Sequence, residues 1–512
     1  MGFAQTKSIQ TDLLTTTIID IEADVSRGIH TFSIIGLPDK AVEESRDRIS
    51  SAIKYSGYPS PKHSNQKVVL SLAPAHIPKI GPHFDLAMAI AYLLATEAIQ
   101  GDTNDTLFLG ELSLDGTLRE IRGVLPLVAH AHKLGIKKIF LPLSNCEEAT
   151  LVNNIEIYGV INLKQLCEHL ENKDQTKSRI SPHKKSISIS TKVINSAPDM
   201  SLVKGQESAK RALLIAASGG HNIALWGPPG TGKTMLAKAF CGIMPELSFD
   251  ESLEVTSIYS VAGLLKEPLI TQAPFRSPHH TASYTALVGG GTIPKPGEIT
   301  LAHKGVLFLD ELPEFDHKTL ETLREPLEEH TITISRARAS GSFPADFILI
   351  AAMNPCPCGN YGVRNKECSC SPLTIDRYRK KLSGPITDRI SIWVEVSAID
   401  YEKLIVAKQP TTLESSTMRH SVVQARQLQH KRSERHIKKK LLNGRVRDIP
   451  HWFSLTPQTK ILLNTAAKKL AISGRSYRNI LAVSRTIADL DNSEHIEEHH
   501  ILEALQYRIE KL

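Results

Sequence analysis

Eight consecutive residues, Gly227-Pro228-Pro229-Gly230-Thr231-Gly232-Lys233-Thr234, follow a strand-like run at Asn222 to Trp226 and spell G-x-x-x-x-G-K-[ST]. That spacing lets successive backbone N–H groups curl around a phosphate chain. It also brings the Lys233 ammonium to the β and γ phosphates and offers the Thr234 hydroxyl to Mg2+. Met235 completes the stretch, where a helix should begin and add its N-terminal dipole. Further on, Gly305-Val-Leu-Phe-Leu309 is an apolar strand ending in Asp310 and Glu311. Asp310 suits the metal, and Glu311 suits a water molecule that must be oriented and deprotonated. A third strand, Phe347 to Met353, delivers Asn354 to the same edge, where a polar side chain can sense a γ-phosphate. Open α/β sheets place their ligands at such strand ends. The chemistry expected is Mg2+-dependent hydrolysis of ATP.

Four of the seven cysteines fall within fifteen residues after Asn354, as Cys356-x-Cys358 and Cys368-x-Cys370. Two close pairs across a short loop supply four thiolates to a tetrahedral Zn2+, although the usual finger pair is spaced more widely. Reduced thiols and a redox role stay open beside structural zinc, since a cytosolic compartment disfavours disulfides. Residues Thr331 to Phe347 alternate like a strand, are expected to turn at Ala339 to Ser342, and return as a β-hairpin carrying Arg336 and Arg338. Between Arg419 and Arg447, the cations Arg426, Lys431, Arg432, Arg435, Lys438, Lys439, Lys440 and Arg445 have only Glu434 as an acidic neighbour. This run is either a phosphate-binding footprint or a solvated basic face.

The elements that position these residues divide the chain sharply. With 512 residues it is expected to hold about three domains. Residues 1–170 alternate β-rich runs with helical patterns, as in an α/β domain. Residues 171–199 are rich in Ser, Lys and Asn with little core periodicity, and read as a linker. Residues 200–400 hold the nucleotide motifs, and residues 401–512 show the three-and-four apolar spacing of helices at Thr456 to Ala471 and Arg478 to Leu490. The longest apolar run, Phe84 to Ala95, contains Asp85 and is too short to cross a bilayer. The N-terminus has no charged-then-apolar signal pattern, and its Met1-Gly2-x-x-x-Thr6 match to an acylation site has no polybasic partner. A cytoplasmic protein with no membrane segment is expected. Its net charge of +7 is modest for this length.

Several longer strings carry a family resemblance. Met200-Ser-Leu-Val-Lys-Gly-Gln-Glu207, the loop at Gly227, Pro274-Phe-Arg-Ser-Pro-His-His280, Gly289 to His303 and Asn354-Pro-Cys-Pro-Cys-Gly359 closely resemble the magnesium-chelatase-like AAA+ ATPases, essentially end to end. The resemblance implies a central AAA+ P-loop domain with a parallel sheet, a helix-2 insert and a pre-sensor-1 hairpin, followed by a C-terminal helical lid. It further implies a homohexameric ring that hydrolyses ATP between subunits and binds single-stranded, double-stranded and branched DNA. The activity implied is branch migration on recombinase-coated joint molecules during natural transformation. Within Ser383-Gly-Pro-Ile-Thr-Asp-Arg389, Arg389 is the implied arginine finger, with a salt bridge to a carboxylate such as Asp388 or Asp400 as the alternative. Gly474-Arg475-Ser-Tyr-Arg478 is similar to a sensor-2 helix, which implies Arg478, or else its neighbour Arg475, near the γ-phosphate. Related ring helicases point a basic hairpin residue into the pore, so Arg336 and Arg338 are the implied DNA contacts. Pairing of those arginines with Glu325, Glu328 or Glu329 is the alternative.

The N-terminal domain resembles the Lon-protease fold through Leu72 to Asp85 and Leu109 to Leu127. His83 stands where that family has its serine, and Leu127 aligns with its lysine, so a Ser-Lys dyad cannot form. Asp85 and an exposed Lys79 read as a helix cap and a solvated charge. Two other readings stand beside the DNA motor: a chelatase-type motor that remodels a protein partner for Mg2+ insertion into a porphyrin, and a nucleotide-regulated DNA scaffold. The complete set Lys233, Asp310, Glu311, Asn354 and Arg389 speaks against a scaffold.

Overall fold

Strict alternation of apolar residues at Ile19, Ile21, Ala23 and Val25 buries one face of a strand and leaves the other to polar side chains. That strand, Thr15–Arg27, is the second in a four-stranded mixed sheet. It pairs antiparallel with Gly2–Asp12 and with Gln66–Ala73, and Gln66–Ala73 pairs in parallel with Thr31–Ile35. The computed structural model describes residues 2–12, 15–61, 65–171, 180–183, 197–267, 269–290, 295–336, 339–362, 366–397, 414–443 and 455–508. The chain forms two compact units, one of residues 1–192 with 252–270 and the other of residues 193–251 with 271–512.

In the first unit a smaller parallel sheet joins Thr106–Phe108, Lys138–Pro142 and Glu156–Val160. The helix Asp85–Ala95 is apolar on every side after its first residue because it is buried throughout. Asp85 itself is fully buried. It accepts from Arg48 Nε at 2.7 Å, from Arg48 Nη2 at 3.2 Å and from the Leu112 N–H at 3.2 Å. Burial pushes its carboxyl upward against the pull of Arg48, and loss of either partner would strand a buried charge. Lys79 is not a surface charge: it is buried, and its ammonium donates to the Pro74 carbonyl. His83 lies on the turn Pro82–Phe84 and Leu127 is buried in the helix Val124–Lys133, so neither protease role has a chemical group to perform it. Within the expected linker, the Ile180 N–H donates to His169 Nδ1 and the His183 N–H to the Ile157 carbonyl. That portion therefore adds to the first unit. Leu253 and Leu269 pack against its core around Val124, Leu125 and Leu141.

The second unit is built on five parallel strands in the order Phe275–Arg276, Val306–Leu309, Ile348–Met353, Ile223–Trp226, Ile392–Glu395. Helices Glu207–Gly219 and Lys233–Ile243 cover the sheet with the long helix Glu414–Asn443 and the later helices Pro457–Lys469, Gly474–Leu490 and Glu498–Gln506. Thr456 and Ser473 cap two of these through their side chains, which sets where each helix begins. Among the described residues no helix is long and apolar enough to cross a membrane.

Part of the basic run at Arg419 to Arg447 has a structural use. Arg419 donates twice to the Gly242 carbonyl, at 3.0 and 2.7 Å, and Arg426 does the same to the Ala217 carbonyl. Both carbonyls lie in last helical turns, where backbone acceptors lack partners and the dipole favours cations. Arg432 pairs with Asp489. These three guanidinium groups are committed inside the fold and do not form a free phosphate footprint. The side chains from Glu434 to Asn443 lie outside the described residues, as does all of Arg445.

His221 gives the second unit a pH dependence. Its Nε2 is 2.8 Å from Thr486 Oγ1, and burial lowers its pKa from 6.5 to about 4. The folded form therefore keeps His221 neutral while the unfolded chain takes up a proton below pH 6.5, so the contribution is present above that pH and is lost as pH falls toward 4. Denaturant unfolding is expected to show about 2 kcal/mol less stability from this group at about pH 5 than at about pH 7.5. A His221→Gln variant is expected to have a correspondingly flatter pH profile, and an unchanged profile would count against the assignment.

Candidate functional site

The five parallel strands all point their C-terminal ends the same way, so whatever follows each strand collects along one edge. The loop from Gly227 follows the strand Ile223–Trp226, with strands on both sides of it. Gly230 and Gly232 adopt left-handed φ values of +78° and +91°, and a Cβ at either would meet nothing within 4 Å. That open space is what a phosphate chain needs above the helix N-terminus at Lys233. Lys233 is buried. Its ammonium donates to the Gly227 and Pro228 carbonyls at 2.7 Å each and to Asn354 Oδ1 at 3.2 Å, and burial lowers its pKa. The Thr231 hydroxyl closes the loop onto the Pro228 carbonyl at 3.0 Å.

Thr234 Oγ1 donates to Asp310 Oδ2 at 2.9 Å, so the hydroxyl and carboxylate expected to share a Mg2+ already sit together. Next to them Glu311 has a left-handed φ of +52°, uncommon for a residue with a side chain, while its N–H donates to Asp310 Oδ1 at 3.0 Å. Its carboxylate is half-exposed and lies 3.3 Å from His280 Nδ1. The structure thus gathers Lys233, Thr234, Asp310, Glu311 and Asn354 at one edge and adds His280, which sequence reasoning missed. The signal was present: Pro278-His279-His280 follows the short strand Phe275–Arg276 that pairs with the strand leading to Asp310.

The chain matches three family models in succession. Residues 21–145 match the one described as subunit ChlI of Mg-chelatase, residues 199–404 magnesium chelatase subunit ChlI, and residues 412–508 its C-terminal region. It is 41% identical over 497 residues to the competence protein ComM of Haemophilus influenzae, covering 96% of this chain and 94% of that protein. It is 42% identical over 498 residues to the protein YifB of Escherichia coli, with the same coverage. The chain belongs to the ComM/YifB group of magnesium-chelatase-like AAA+ ATPases. A magnesium-chelatase 67 kDa subunit of Chlorobaculum tepidum is more distant, at 28% over 159 residues, 30% of this chain and 23% of that subunit.

The arginines expected at the site differ in their partners within the chain. Arg389 is almost fully buried: Nη1 donates to the Pro385 carbonyl and Nη2 lies 2.6 Å from Glu328 Oε2. The intramolecular partner among the described residues is Glu328 rather than Asp388, and Asp400 lies outside the described residues. Arg475 pairs with the other oxygen of the same carboxylate. Arg478 is exposed and has no hydrogen-bond or ion-pair partner among the described residues. The hairpin joins Thr331–Arg336 to Ala339–Pro344 in antiparallel register, so Ala339 to Ser342 belongs to the return strand and not to the turn. Small residues there resemble a loop, but Ile332 opposite Phe343 fixes the pairing. The Arg336 side chain and all of Arg338 lie outside the described residues.

Cys356, Cys358, Cys368 and Cys370 converge, with all four sulfurs within 4.8 Å of one another. Three of the separations are 3.4, 3.7 and 3.6 Å. A tetrahedral Zn2+ with bonds of about 2.3 Å has sulfur–sulfur edges of about 3.8 Å, so the cradle fits that ion. The Tyr361 N–H donates to Cys356 Sγ at 3.4 Å, a contact that favours thiolate, and the Asn360 N–H helps hold Cys358 down at about 5, while burial and the neighbouring sulfurs push Cys368 up to about 12. A second group, Asp491, His499 and His500, is equally compact. There His500 Nδ1 accepts the Glu497 N–H at 2.9 Å, which leaves the hydrogen on Nε2 and removes it as a neutral ligand. Gly359 packs on the phosphate loop so closely that a Cβ would lie 2.6 Å from Pro229 Cδ.

Two outcomes are expected. Purified protein is expected to carry about one Zn2+ per chain by metal analysis, with less than about half an equivalent counting against the site. His280→Ala is expected to lower kcat about tenfold while nucleotide affinity stays within about twofold, because only the orientation of Glu311 is lost. An unchanged kcat would remove His280 from the site.

Proposed function

We propose that this protein is an ATP-driven DNA motor that assembles as a homohexamer and moves branched recombination intermediates during natural transformation. The observation that carries the reading is the gathering of Lys233, Thr234, Asp310, Glu311 and Asn354 at one sheet edge, in a chain that resembles a competence protein over nearly its whole length. In this reading residues 200–400 are the motor core apart from residues 252–270, which belong to the first unit, residues 401–512 are its lid, residues 171–199 the linker with residues 180–183 held on the first unit, and residues 1–170 a Lon-like domain without protease chemistry.

Thr234 and Asp310 hold Mg2+, which when bound neutralises phosphate charge. Lys233 exchanges its loop carbonyls for phosphate oxygens, and Asn354, already hydrogen-bonded to Lys233, reads the terminal phosphate. Glu311 takes the proton of the attacking water, with His280 holding its carboxylate. Arg389 serves the neighbouring subunit's site after leaving Glu328, and Arg478, or Arg475 in its place, approaches the γ-phosphate. Arg336 and Arg338 contact DNA phosphates, a sequence-independent grip suited to a motor that must pass any sequence. The four cysteines hold structural zinc. A cytoplasmic location follows from this work on DNA.

The match to magnesium chelatase subunits favours a second reading, a motor that remodels a protein partner. One assay separates the two: ATP hydrolysis without DNA, with forked or D-loop DNA, and with an acidic protein control, with strand displacement scored in the same tubes. Hydrolysis is expected to rise with branched DNA, and Glu311→Gln is expected to lose about 10² to 10⁴ in rate together with displacement. Hydrolysis indifferent to every DNA would favour the protein-remodelling motor. Arg336→Ala with Arg338→Ala is expected to weaken DNA binding and reduce its salt slope by about 2. Unchanged binding would remove the hairpin from the DNA path.

A further inference from the structure

Opposite the nucleotide edge, at the beginnings of the same strands, one carboxylate joins elements far apart in sequence. Asp346 Oδ2 accepts from Lys304 Nζ at 2.9 Å, and Asp346 Oδ1 lies 3.2 Å from His330 Nδ1. The Asp346 N–H donates to His303 Nδ1 at 3.1 Å, and its carbonyl accepts the Lys304 N–H at 2.6 Å. Lys304 and His330 both adopt left-handed φ values, +56° and +54°, which residues with side chains hold only when their surroundings enforce them. Burial pushes the Asp346 carboxyl upward, but Lys304 together with His330 and His303 outweighs it and keeps the carboxyl below its usual range.

The position of these groups gives the cluster its meaning. Lys304 stands two residues before the buried strand Val306–Leu309, which ends at Asp310 and Glu311. Asp346 stands two residues before the strand Ile348–Met353, which ends at Asn354. His330 and Ala345 close the base of the hairpin, where the Ala345 N–H donates to the His330 carbonyl at 2.7 Å. A fully buried strand paired on both sides shifts as a rigid rod, so displacement at one end is felt at the other. A cavity of about 650 Å3, lined in part by Glu251, Lys304, His330, Asp346 and Arg426, leaves room for the hairpin base to move.

We propose that Asp346 is a positioning residue that carries the nucleotide state of the far edge to the hairpin Thr331–Pro344. The inference rests on reading that edge as the ATP site, and it deepens the motor reading by naming the link between fuel and hairpin. It does not depend on what the hairpin touches.

The experiment is hydrogen–deuterium exchange on the full-length Glu311→Gln protein, with and without Mg2+-ATP and with no DNA present. ATP is expected to slow exchange in the loop at residues 227–236 and to alter exchange across residues 331–344. Adding Asp346→Ala is expected to abolish the hairpin response and keep the loop response, a split that general destabilisation would not produce. Should Asp346→Ala fail to fold, Lys304→Gln breaks the same pair from the other side and is expected to give the same split. A hairpin response that survives the second substitution overturns the proposal, as does a hairpin indifferent to ATP while the loop responds. Absence of any response at the loop overturns it together with the ATP-site reading. Failure of DNA to stimulate the wild-type protein would sink the DNA motor alone and leave this result standing.

Discussion

The parallel pairing of Ile223–Trp226 with Ile348–Met353 on one side and Ile392–Glu395 on the other is the constraint on which the ATPase unit depends. It aligns the phosphate loop with Asn354 in one register step, because Trp226 is paired with Met353 and each strand ends there. The next strand outward brings Asp310 to the hydroxyl of Thr234 by the same rule. A slip of one residue in any of these ladders would exchange the side chains packed on two buried faces and part the metal-binding pair. Residues more than a hundred positions apart thus meet within hydrogen-bond distance without side-chain contacts having to guide them.

What the sequence made legible follows from how local each signal is. The loop at Gly227 and the strand ending in Asp310-Glu311 are written in contiguous residues, and strand ends in α/β folds share an edge, so their meeting could be read in advance. The cysteine cluster was legible for the same reason. Partner choice was not. Glu328 lies some sixty residues from Arg389, and nothing in either neighbourhood distinguishes it from Asp388 or the other nearby carboxylates. The basic run misled because a count of charges cannot separate an arginine in solvent from one aimed at a helix end. Arg419 and Arg426 have the composition of a phosphate patch and the geometry of a cap. Lys79 misled in the same way, since its backbone is held by Leu37 and Asp39, far earlier in the chain.

The two units use buried charge differently. In the first, Asp85 and Arg48 form an ion pair under a helix that would otherwise be continuous hydrocarbon, which fixes the helix start against the Leu112 backbone. In the second, arginines of the long helix Glu414–Asn443 donate to carbonyls at the ends of the two helices that frame the phosphate loop. The helix beginning at Lys233 is therefore held at both ends: by the loop at its N-terminus and by Arg419 at its last turn. The phosphate site is stiffened from behind by a helix nearly two hundred residues later in the chain.

The carboxylate shared by Arg389 and Arg475 carries a consequence for both. Two guanidinium groups on one carboxylate repel each other and divide a single negative charge. When one departs, the other inherits the whole of that charge and is held more firmly. Whatever draws one arginine away from Glu328 would therefore tighten the hold on the other, so the two guanidinium groups are coupled through a single carboxylate.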